Sequence, residues 1–128
     1  MASGRYEITK SGEGEFSFSL VTLGGKVIAR SGKYKSLVVC KKGIASLRIN
    51  SDAPIEDKTE AFSDIPEEKI RCPKIEIIAS GGAYNFYVKA KNGSIIAEGE
   101  GYGTKNRCLE AVSNLKYIAF SAESTEIF

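Results

Sequence analysis

Residues 23–40, "LGGKVIARSGKYKSLVVC", and residues 91–108, "KNGSIIAEGEGYGTKNRC", align without a gap. Gly25 matches Gly93, Ile28 matches Ile96, Ala29 matches Ala97, Tyr34 matches Tyr102 and Cys40 matches Cys108. A chain of 128 residues suits one compact domain. Each copy then has only about 50 residues, and a chain that short buries about 60% of its unfolded surface. The repeat therefore predicts two half-domains that complete one another.

The second copy is the clearer. "KIEIIA" (74–79) is apolar and β-branched, and "SGG" (80–82) is turn chemistry. "AYNFYVKA" (83–90) alternates, with Tyr84, Phe86 and Val88 on one face. Asn92-Gly93 separates it from "SIIAEGE" (94–100), and Asn-Gly predicts a type I′ hairpin turn. A helix should follow, capped by Thr104. Cys108, Ala111, Val112, Leu115, Ile118 and Ala119 give it one apolar stripe.

The first copy repeats each step. Tyr6 and Ile8 alternate around Glu7, as Ile75 and Ile77 do around Glu76. Phe16, Phe18 and Leu20 face inward, Gly24-Gly25 turns, and "KVIAR" (26–30) is the third strand. Ser36 caps a helix with Leu37, Cys40, Ile44 and Leu47 on its core face. Gly43 inside it costs roughly 0.5–1 kcal/mol against Ala, and close packing would explain its presence. Repeat 1 spans about 4–60 and repeat 2 about 73–128. An acidic, proline-containing linker covers about 51–72 and contains Ile55, Phe62, Ile65 and Ile70. A short strand at Ile55 to Thr59 and another in "STEIF" (124–128) make each copy β-β-β-α-β.

The quoted strings, with "GIASLRIN" (43–50) after the first cysteine, are similar to the YegP-like family of small, mostly bacterial proteins of uncharacterised function. The pattern "NGxIIAxxxxYxTKxxC" carries the likeness, which covers both copies. Two departures are "CLEAV" in the second helix and Gly24-Gly25 in place of Asn-Gly. The resemblance implies an α+β protein. Its two β-β-β-α-β repeats would form one pseudo-two-fold antiparallel sheet, with swapped C-terminal strands and both helices on one face. It also implies a monomer that is an internal pseudo-dimer, and it transfers no catalytic residue.

Composition narrows function by exclusion. Histidine is absent, which removes Ser-His-Asp and Cys-His sites and makes most zinc sites improbable. No enzymatic activity and no cofactor are expected. Cys40 and Cys108 fall on the apolar stripes and read as small buried hydrophobes, whereas Cys72 lies in the linker. "GEGYG" (99–103) lacks the lysine and hydroxyl spacing of a phosphate-binding loop. Three cysteines without a CxxC, no membrane-length apolar run and no apolar leader at "MASGRYEITK" give a cytoplasmic expectation.

Formal net charge is +2, unevenly spread. Residues 1–50 hold nine Lys/Arg against three Asp/Glu, residues 51–72 three against seven, and residues 73–128 six against six. The first copy thus carries a candidate binding face of Lys33, Lys35, Lys41, Lys42 and Arg48. Tyr34 and Tyr102, ahead of the two helices, are candidates for a paired ligand site across the pseudo-two-fold. Glu7 and Glu76 read as solvent-facing strand charges. The expected function is a small non-enzymatic interaction module with a partner, perhaps a protein, that the sequence does not identify. The alternatives are nucleic-acid binding through the basic face, where aromatic residues appear committed to the core, and an enzyme of unknown class.

Overall fold

The computed structural model describes residues 4–59 and 71–128. Repeat 1 supplies β1 (Gly4–Lys10), β2 (Phe16–Thr22), β3 (Val27–Arg30), α1 (Leu37–Asn50) and β4 (Ile55–Asp57). Repeat 2 supplies β5 (Lys74–Ser80), β6 (Ala83–Lys89), β7 (Ile95–Tyr102), α2 (Lys105–Ile118) and β8 (Glu123–Glu126). All eight strands form one sheet in the order β4-β5-β6-β7-β3-β2-β1-β8. The last strand of each repeat therefore pairs with the first strand of the other.

The six central strands are antiparallel, as expected. The swapped strands are not: β4 pairs parallel with β5, and β8 parallel with β1. The sheet is mixed. No tight turn dictates direction at these edges. Residues 58–73 separate β4 from β5, which is length enough for the return connection that parallel neighbours need. β4 also makes the start of the acidic segment a strand rather than a linker. Phe62, Ile65 and Ile70 lie outside the described residues.

Strand alternation sends Tyr6, Ile8, Phe18, Leu20, Ile75, Ile77, Phe86 and Val88 to the helix-bearing face, where all are buried. Cys40, Ile44 and Leu47 of α1 and Cys108, Val112 and Leu115 of α2 meet them in one core cluster. The caps are as predicted: Ser36 Oγ accepts from Val39 N–H at 3.2 Å, and Thr104 Oγ1 from Arg107 N–H at 3.1 Å. The hairpin turn differs from the type I′ expectation. Positive φ occurs at Gly93 and at its counterpart Gly25, but at no non-glycine residue. Ala90 and Ser94 close a loop of Lys91, Asn92 and Gly93, with Gly93 in the left-handed position of a three-residue hairpin. Asn92 instead uses its side chain, accepting from Ser94 N–H at 3.0 Å.

Cross-repeat ties fix the swap. Lys105 of α2 pairs with Asp57 of β4, and Lys41 of α1 pairs with Glu126 of β8 at 3.0 Å. The equivalent residues Arg48 and Lys116 each donate to a carbonyl of the other repeat, Ala122 and Ala53, both at 2.7 Å.

Gly43 is explained by close packing. A Cβ there would collide with the Tyr34 hydroxyl and lie 2.8 Å from Tyr34 Cζ. Tyr34 itself lies parallel to Phe18, with ring centroids 6.3 Å apart.

Candidate functional site

The proposed basic face does not form one free surface. Lys41 is spent on Glu126. Arg48 turns along the same side of α1, over the Tyr6 ring at 5.2 Å, and binds the Ala122 carbonyl. The two cations are seven residues apart and both face the swapped strand region. A helical wheel puts them off the apolar stripe but cannot show that another repeat arrives there. Lys33, Lys35 and Lys42 are exposed, with no ion pair among the described residues.

Tyr34 and Tyr102 are also separated. The central seam pairs Arg30 with Glu98, which are equivalent positions, so the pseudo-two-fold axis passes between them. Tyr34 lies four residues beyond Arg30 and Tyr102 four beyond Glu98, on antiparallel paths, and this puts the rings at opposite ends of the seam. Both hydroxyls turn into the protein: Tyr34 against Gly43, Tyr102 donating to Ile28 O at 3.2 Å. Burial raises the ionisation of both phenols.

The thiols are sealed. Cys40 and Cys108 are buried, and burial pushes both up, Cys108 to about 11 with Asp57 adding to the effect. Such thiols are poor nucleophiles. Cys72 is partly exposed.

Glu76 is the residue that sequence reasoning misplaced. It points away from the helices, yet only 3% of it is exposed. Lys58, Lys74 and Lys89 contact its carboxylate at 3.0, 3.1 and 2.9 Å. Glu56 of β4, in register beside it, shares Lys58 and Lys74. Burial alone would raise the Glu76 carboxyl, but hydrogen bonds from Lys89, Lys58 and Lys74 outweigh it and bring it to about 2. A carboxylate so held is ionised and occupied, and it fastens β4 to β5. Its repeat-1 counterpart, Glu7, stays partly exposed and pairs with Arg5 at 2.8 Å.

A cavity of about 280 Å³ opens where β3 and β7 part, lined by Ile28, Arg30, Glu98, Glu100 and Tyr102 among others. Burial, and then Glu100, raise the Glu98 carboxyl. Among the described residues, no group of three or more Cys, Asp or Glu side chains is placed to hold a metal ion. No helix among them is long and apolar enough to cross a membrane.

Two swapped β-β-β-α-β repeats around a central seam define the class, and the comparisons supply its members. The model of a domain of unknown function (DUF1508) matches twice, at residues 11–57 and 79–126, one match per repeat. UPF0339 protein YegP of Escherichia coli strain K12 is 31% identical over 114 residues, spanning 89% of this chain and 88% of that relative. UPF0339 protein PA0329 of Pseudomonas aeruginosa is 26% identical over 112 residues, 88% of this chain and 86% of the relative. The solution NMR structure of E. coli yegP, a protein of unknown function, superposes with a TM-score of 0.74 at 28% identity, covering 98% of this chain and 94% of that one. UPF0339 protein SO3888 of Shewanella oneidensis shares the fold, with a TM-score of 0.75, 23% identity and coverage of 97% and 91%. The chain belongs to the UPF0339, or YegP-like, family of proteins of uncharacterised function.

Proposed function

We propose that the chain is a non-enzymatic binding module with a protein partner, working in the cytoplasm. One observation carries the proposal. Ile49 of α1 and Tyr117 of α2 are equivalent positions, and both stand clear of the fold, 78% and 75% exposed. Phe120, just past α2, is 77% exposed. Arg48 and Lys116 hold the two helix C-termini to the opposite repeat, which brings these side chains to one end of the helical layer. Covering such a residue is worth about 1.5–3 kcal/mol, so leaving three large ones in water favours a partner that covers them. The sealed thiols and the occupied Glu76 support a non-catalytic role, and thiols kept free suit a reducing compartment.

Capture from native extract by immobilised protein tests this. Ile49→Asp with Tyr117→Asp should keep the fold by circular dichroism and lose the captured protein. Undiminished capture would refute the surface. A second function, nucleic-acid binding through repeat 1, is favoured by the grouping of lysines around Phe16.

A further inference from the structure

The two ends of the seam are alike in backbone and unlike in charge. At the repeat-1 end, Phe16 lies between Lys10, its register partner on β1, and Tyr34. Tyr34 N–H donates to Phe16 O at 2.6 Å, and Phe16 N–H to Tyr34 O at 2.7 Å. Lys10 Nζ sits 5.6 Å from the centre of the Phe16 ring. Phe128 packs edge-on against that ring at 5.5 Å and keeps 61% of its surface exposed. Lys33 and Lys35 flank Tyr34, and both are exposed, as is Lys10. None of the three lysines forms an ion pair among the described residues. The acid on the neighbouring edge, Glu126, is neutralised by Lys41. Glu15 precedes Phe16 and by strand alternation takes the opposite face.

Repeat 2 serves as an internal control. The positions equivalent to Lys10, Phe16, Lys33, Tyr34 and Lys35 are Ala79, Tyr84, Gly101, Tyr102 and Gly103. The framework forms there with aromatic rings and no cation. The three lysines are therefore not required by the fold, and their convergence at one end needs another reason.

We propose that this end binds single-stranded nucleic acid, with Lys10, Lys33 and Lys35 on backbone phosphates and Phe128 stacking a base beside Phe16. Exposed lysines act as mobile point charges for phosphate, and an exposed ring among them accepts any base. The inference rests on the second function above and names its site, which differs from the wider helix face expected from the sequence. Lys41 and Arg48 drop out because β8 and its flank occupy them.

The test is fluorescence anisotropy of an oligothymidylate about 15 nucleotides long, titrated with the full chain. Three phosphate contacts give a slope of about −2 in log K against log salt, so affinity should fall about 20-fold from about 50 to 200 mM salt. Lys10→Gln, Lys33→Gln and Lys35→Gln together should abolish both binding and that slope. Phe128→Ala should weaken binding about tenfold or more. The double variant Lys33→Gln, Lys35→Gln lies outside the strands and keeps the test valid if Lys10→Gln disturbs the fold. No binding by the wild type at about 50 mM salt would overturn both the site and the second function. Binding that the lysine variants leave intact would overturn the site alone. Competition by polyglutamate as effective as by unlabelled oligonucleotide would overturn the assignment to nucleic acid.

Discussion

Glu76→Gln is the substitution whose consequence follows most directly from the structure. Glu76 ionises at about 2 in the fold, against an ordinary value of 4.5. At 1.36 kcal/mol per pH unit, that separation corresponds to about 3 kcal/mol. The folded value is the lower one, so this stability is present above pH 4.5 and is lost as pH falls towards 2. Glutamine keeps the shape and removes the charge. At pH 7 the variant should lose about 3 kcal/mol, short of the upper range for a broken buried pair. Lys58 and Lys89 retain access to water, and Lys74 keeps Glu56, so no lysine is stranded. For a chain of this size the loss amounts to roughly 10 °C in melting temperature. Urea melts followed by circular dichroism at pH 7, 4 and about 2 would measure it for both proteins. The gap should be widest at pH 7 and close at the lowest pH, where wild-type Glu76 is itself becoming protonated. A gap independent of pH, or no gap at pH 7, would refute the electrostatic account of how β4 is held.

Gly43→Ala should destabilise the fold by about 1–3 kcal/mol, because the new methyl displaces Tyr34 from Phe18; an exposed helical glycine would instead gain about 1 kcal/mol. Thermal melting decides the sign. A chain cut within residues 60–70 should remain one associated body. The halves expressed separately should be poorly folded or self-associated, and mixing should restore a single cooperative transition. Halves that melt cooperatively as monomers, indifferent to mixing, would contradict the shared core.

The halves of the fold were legible because alternation in "AYNFYVKA" and three-four spacing from Leu37 to Leu47 survive in both copies. What stayed hidden lies between the copies. Alternation correctly sends Glu76 away from the helices, but "away" was equated with water. Lys58 and Lys89 are eighteen and thirteen residues distant, and only the β4–β5 and β5–β6 registers bring them together. The usable signal was Glu56 within the strand expected at Ile55 to Thr59: pairing that strand with β5 sets two carboxylates side by side and calls for cations. Arg48 was misassigned for a similar reason, since its partners Tyr6 and Ala122 lie 42 and 74 residues away. The rings at Phe16 and Phe128 were assigned to the core from their apolar character. Their place at a strand start and at the chain's last residues is what leaves them half open.

A symmetric dimer must set each residue on its axis against its own copy. The tandem chain is released from that condition, and the seam shows the difference: Arg30 meets Glu98, where identical copies would put like charge against like. Positions where the repeats agree, such as Gly25 and Gly93, Phe18 and Phe86, Cys40 and Cys108, or Leu47 and Leu115, make the hairpin, the core and the helix seat in each half. Positions where they differ divide into two kinds. Gly43 against Ala111 is compensated locally, since Tyr34 fills the space at one and Tyr102 turns to Ile28 at the other. Lys10 against Ala79, Lys33 against Gly101 and Lys35 against Gly103 have no such compensation in the packing. A difference that the scaffold neither needs nor corrects is where recognition can reside, and these three converge on one exposed aromatic edge.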